Sequence, residues 1–66
     1  MRYHIVEVHG AVADYASVVD RKTGRVMGTG NSYWDGPAYL KLAEIQCNAL
    51  NKADFLTRHP ELATEA

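Results

Sequence analysis

The 66 residues include one cysteine, two prolines, one phenylalanine and one tryptophan. With Cys47 alone, no intramolecular disulfide can form, and no four Cys or His ligands stand at zinc spacing. Neither sign of charge dominates: seven Lys and Arg against eight Asp and Glu leave a net charge of −1. That balance lacks the basic excess usual in nucleic-acid binders. No apolar run approaches the ~20 residues that cross a bilayer. Glu7 and His9 interrupt the apolar start, so no secretory signal is expected, and a free thiol without one points to the cytoplasm.

A hydrophobic fraction of 47% is that of a folding chain. Sixty-six residues make one small domain. Such a chain buries only ~60% of the surface its unfolded form exposes, so its stability is marginal. Unstapled domains of this size often gain stability by pairing, which makes a homodimer or a complex with a host protein an expectation from size alone.

Val18 to Met27 reads as a β-hairpin: β-branched residues flank Asp20-Arg21-Lys22-Thr23-Gly24. Asp20 can accept from backbone amides just ahead of it, and Gly24 can take the positive φ that closes such a turn. Strands are expected over residues 3–9, 14–20 and 25–30. On the first, His4, Val6 and Val8 share one face and Tyr3, Ile5, Glu7 and His9 the other. Apolar groups on both faces suggest an inner strand. Gly28 and Gly30 point to a bulge or to a close approach by another backbone or the helix.

Asp35 has N-cap chemistry and Pro37 suits a first helical turn, so one helix should run from Gly36 or Pro37 to Leu50 or beyond. Asn51 either ends it or caps a short second helix reaching Arg58. Spacing of 3.6 places Ala38, Leu42, Ile45, Ala49 and Ala53 on a central stripe facing the sheet. Lys41, Glu44, Asn48 and Lys52 fall on the wet side. Leu40, Ala43, Cys47 and Leu50 make a second, narrower seam, which is either a wide buried face or a contact for a partner. The expected architecture is α+β: a three-stranded antiparallel sheet against one long helix, β-β-β-α, over residues 1–58. His59 before Pro60 discourages helix, so residues 59–66 are expected to be a mobile tail.

No constellation of catalytic residues stands out. His4, Glu7 and His9 carry metal-binding groups, but alternation on a strand turns His4 away from the other two. Cys47 lies in mid-helix, away from the helix N-terminus that would favour its thiolate. Gly24, Gly28 and Gly30 are followed neither by Lys-Ser or Lys-Thr nor directly by a helix, so they are not a phosphate loop. No enzyme, metal or cofactor is expected. Arg21, Lys22 and Arg25 cluster at the hairpin tip, as a solvated turn, a charged rim or a nucleic-acid contact that Tyr15, Tyr33 and Trp34 could extend by stacking. Tyr33-Trp34 is either a lid, with Trp34 stapled to Leu40 or Tyr39, or a binding anchor.

The turn Val-Val-Asp-Arg-Lys-Thr-Gly-Arg-Val, followed by a helix ending Ala43-Glu44-Ile45-Gln46-Cys47-Asn48-Ala49-Leu50-Asn51, resembles small phage- and prophage-encoded proteins of unknown role over residues 15–51. The shared motifs are structural and transfer no catalytic residue. Tyr33-Trp34 departs from the shorter connections of that pattern. The resemblance implies a mobile-element origin, where small accessory proteins bind and inhibit host machinery, defence systems included, or regulate genes. The function expected is therefore that of a non-catalytic phage- or plasmid-type protein that binds and modulates a host protein. Its expected contacts are Tyr33, Trp34, Leu40 and Cys47, with Arg21, Lys22 and Arg25 as a charged rim. The alternative is a nucleic-acid-binding regulatory module using the hairpin tip.

Overall fold

Three extended runs rich in β-branched residues, joined by short turns, pair as an antiparallel meander. The computed structural model describes residues 1–63, with β1 Tyr3–His9, β2 Asp14–Asp20 and β3 Val26–Asn31 in the order β1-β2-β3. β2 is the central strand and β1 an edge, which corrects the inner-strand reading of β1. β3 leads into a short helix α1 (Ser32–Asp35), a 3₁₀ turn (Gly36–Ala38) and the long helix α2 (Tyr39–Arg58), then a helical turn α3 (Pro60–Ala63). The fold is the expected β-β-β-α. Its Cα extents of 46 × 25 × 12 Å make it a thin slab.

The hairpin closes as its residues dictate. Gly24 has φ 75°, its amide donates to the Asp20 carbonyl at 2.7 Å and the Asp20 amide donates to the Arg25 carbonyl at 2.9 Å. Asp20 Oδ1 accepts from the Lys22 amide at 2.9 Å. The ladder then pairs Tyr15 with Asn31 and Val18 with Gly28, and slips at Val18/Val19 in a bulge.

The helix begins differently from expectation. Asn31 caps α1, its Oδ1 accepting from the Tyr33 amide at 2.8 Å. Asp35 turns back to accept from the Asn31 amide at 3.0 Å and caps nothing downstream. α2 runs unbroken through Asn51 to Arg58. His59 leaves helical geometry before Pro60 as the pre-proline clash requires. The expected loose tail instead starts as a helical turn, Pro60–Ala63; residues 64–66 lie outside those described.

The largest departure is the rotation of α2. Its sheet-facing side carries Ala43 and Cys47, both buried, with Tyr39, Leu40 and Leu50 packed around them onto Ala16 and Val18. Leu42 and Ile45, expected to face the sheet, are 47% and 56% exposed. The reason is size. The sheet's inner face offers Ala16, Val18, Gly28 and Gly30, so the helix settles very close to it. A Cβ on Gly30 would collide with the Tyr39 carbonyl, and one on Gly28 with the Gln46 side-chain amide. At that separation only small residues fit on the contact line, and the bulkier Leu42 and Ile45 are left outside. The glycine pair thus marks both features it was open to: a bulge beside Gly28 and a close approach of the helix.

This geometry separates two otherwise similar substitutions. Gly30→Ala must push backbone against backbone, an overpacking cost of about 1–3 kcal/mol. Gly28→Ala meets the end of a flexible glutamine. Thermal melts should show Gly30→Ala lowered well beyond Gly28→Ala; equal melting points would contradict the close approach.

Candidate functional site

The core is small, with Val18 its largest fully buried side chain, so most of the larger apolar groups are shared out over the surface. The alternation of β1 and β2 turns Val6, Val8 and Tyr15 away from α2, onto the outer face of the sheet, where no other element among the described residues covers them. Val26 and Met27 of β3 are also exposed. Ser17 and Thr29, paired across the ladder in the middle of that face, approach at 3.4 Å through their hydroxyls. With α2 packed on the opposite face of the sheet, these valines lie in water.

Tyr33 and Trp34 stand at the end of the sheet where β3 runs into α1. Tyr15, opposite Asn31 in the ladder, lies at the same end of the sheet as α1. Tyr33 is 67% and Trp34 78% exposed. Their rings meet edge to face, centroids 5.0 Å apart. At that exposure Trp34 does not serve as a lid over the core.

Leu40 and Cys47 are placed otherwise. Cys47 is 6% exposed and Leu40 packs against the same buried cluster, which corrects their assignment as partner contacts: their seam is the face that docks on the sheet. The Cys47 thiol accepts from Asn51 Nδ2 at 3.6 Å. Asn51 also receives the Tyr3 amide at 2.9 Å and donates to the Tyr3 carbonyl at 3.1 Å, tying the start of edge strand β1 to α2.

The basic cluster lies at the other end of the sheet. Six residue steps along β2 separate Asp14 from Asp20, a rise of about 20 Å, so Arg21, Lys22 and Arg25 form no rim around Tyr33 and Trp34. Arg21 and Lys22 instead join Arg2, Arg58, Asp54 and Met1 around an open groove of about 540 Å³. Its framework is ionic. Arg2 grips Asp20 with both prongs, at 3.0 Å through Nε and 2.9 Å through Nη2, and reaches Asp54 at 3.3 Å. Arg58 binds the other oxygen of Asp54 at 3.1 Å. Sequence reading missed Arg2 because its partners lie 18 and 52 residues away, and the local i,i+4 pair Asp54–Arg58 carries no sign that it meets the hairpin.

Among the described residues no three His, Cys, Asp or Glu side chains converge on a point that could hold a metal ion. His9 pairs with Asp14 at 3.2 Å and His59 with Glu61 at 3.6 Å. No helix among the described residues is long and apolar enough to cross a membrane. Comparison with family models, curated proteins and solved structures gives no match.

The Asp20 carboxyl is held down from 3.8 to about 2, first by the Arg2 hydrogen bonds, then, against the upward push of burial, by the Lys22 amide and the Thr23 side chain. The sign follows from linkage: a carboxyl whose folded pKa is depressed stabilises the fold fully above its unfolded value, and that stabilisation is lost as pH falls. Stability should decline between pH about 4 and about 2. Asp20→Asn should be less stable at neutrality and show a flatter acid limb in denaturant titrations. Parallel acid limbs would remove Asp20 as their source.

Proposed function

We propose that the protein is a small non-catalytic interaction module that binds a host protein and inhibits or modulates it, using the outer sheet face together with Tyr33 and Trp34. The carrying observation is that Val6, Val8 and Tyr15 lie open on one side of a slab whose other side is occupied by α2. Three strands and seven residues span about 14 by 23 Å, a footprint on the order of 300 Å². A stable interface needs about 800 Å² per partner, so the sheet face alone is too small. Aromatic side chains bury about 150–250 Å² each, and Tyr33 and Trp34 bring the surface towards that size. Exposed aromatics are also the residues that most often dominate binding energy. The phage or plasmid character, an anti-defence role and a cytoplasmic location rest on the resemblance of the hairpin and helix motifs.

Self-association is a second reading with its own observation. On the outer side of α2, Leu42, Ile45 and Ala49 recur at three- and four-residue steps and are exposed, the spacing of a helix-pairing seam. The nucleic-acid alternative is less favoured, because the basic groove and the aromatic pair sit at opposite ends of the sheet.

Capture from host lysate, with and without nuclease, tests the main reading. Val8→Glu and Trp34→Ala are both surface changes and should abolish nuclease-resistant capture while leaving the melting point nearly unchanged. Capture that survives both variants would refute it. Sedimentation tests the second reading: Ile45→Glu should convert a dimer to a monomer, and a wild-type chain that is monomeric at high concentration would exclude it.

A further inference from the structure

We propose that the groove between the N-terminal segment, the hairpin tip and the last turn of α2 is a binding site for a ligand presenting two linked phosphates. Four cationic side chains, Arg2, Arg21, Lys22 and Arg58, border it. Asp20 and Asp54 neutralise two of those charges, and two remain in surplus on a chain whose net charge is −1. The surplus is local to this groove.

The roles divide between its walls. Arg2 and Arg58 are set in place by the carboxylates they bind, which removes much of the entropy cost of ordering long side chains on a ligand. Arg21 and Lys22 are exposed and make no side-chain hydrogen bond or ion pair among the described residues, so their donors are free. Arginine forks match phosphate oxygens geometrically, and lysine adds a mobile point charge. Both oxygens of Asp54 are already engaged, by Arg2 and by Arg58, so an incoming anion meets guanidinium groups before it meets a bare carboxylate.

The dimensions favour a compact anion over a polymer. A volume of about 540 Å³ falls in the range of small-ligand sites. Among the described residues no aromatic side chain lines the groove, so it offers no platform for stacked bases. Arg25, the remaining cation of the tip, is not part of the lining, so no basic stripe leads a polyanion onward. Inorganic pyrophosphate and a nucleoside diphosphate both present the required pair of phosphates.

Titration of ¹⁵N-labelled protein with inorganic pyrophosphate at low salt tests the site. Shifts should concentrate at Arg2, Arg21, Lys22 and Arg58. The Arg21→Ala/Lys22→Ala double variant should lose about tenfold or more in affinity, two charge-assisted contacts being removed, with its melting point unchanged. Asp54→Asn should bind more tightly, because it removes a negative charge facing the groove while Asp20 still holds Arg2 in place. If that variant unfolds, Lys22→Glu serves instead and should abolish binding. Equal affinity for pyrophosphate and a nucleoside diphosphate would identify the phosphates as all that is read, and tighter nucleotide binding would add the nucleoside; both uphold the site. The proposal fails if millimolar pyrophosphate leaves the spectrum unchanged at constant ionic strength, or if the double variant binds as well as the wild type. It also fails if an oligonucleotide occupies the groove and pyrophosphate cannot displace it. Protein capture through the sheet face is independent of every one of these outcomes.

Discussion

The distance between α2 and the sheet governs the rest of the molecule. Gly28 and Gly30 present no side chain to the helix, and the Tyr39 carbonyl and the Gln46 amide take the space that side chains would fill. A helix drawn that close can place only alanine and cysteine on its contact line. The close approach therefore limits the core and turns Leu42 and Ile45 outward, while α2 covers one face of the sheet and Val6, Val8 and Tyr15 stay exposed on the other. Surface apolarity here is the other side of a short interlayer distance.

Because the core is small, polar contacts define the edges of the fold. Asn51 pairs with both backbone groups of Tyr3 and so occupies the start of an edge strand that would otherwise be open. Edge strands left unpaired invite pairing with other chains. At the hairpin end, Asp20 is 3% exposed and closes the buried column that begins with Ala16 and Val18. Its burial is tolerable because Arg2 and the Lys22 amide satisfy it. The same arginine reaches Asp54, which links strand, turn and helix in one network.

What was legible in the sequence was local. The hairpin announces itself through Asp20 and Gly24, whose turn chemistry acts over five residues, and the strands and the long helix follow from β-branched runs and from the turn residues ahead of Pro37. The rotation of α2 was not legible. Periodicity ranks faces by hydrophobicity, and Leu42 and Ile45 outrank Ala43 and Cys47 on that scale. Which face docks is decided by the size of what lies opposite, and that depends on a register between β2 and β3 that spacing does not reveal. The N-cap was misread for a related reason: Asn31, still counted with the strand, supplies the capping oxygen. Of the candidate site, Tyr33 and Trp34 stood out by type and place. The groove did not, since Arg2, Asp54 and Arg58 look like ordinary scattered charges until the fold brings them beside the hairpin.

Cys47 gains a use from its position. It is the one thiol in the chain, and it lies beneath α2 with Asn51 donating to its sulfur. A reagent can reach it only when the helix lifts from the sheet, so the rate of its modification follows the population of that open form. The residue is thus a built-in gauge of how firmly the two layers hold together. Any ligand that joins the hairpin tip to the last turn of α2 would register there as slower labelling, at a distance from its own binding site.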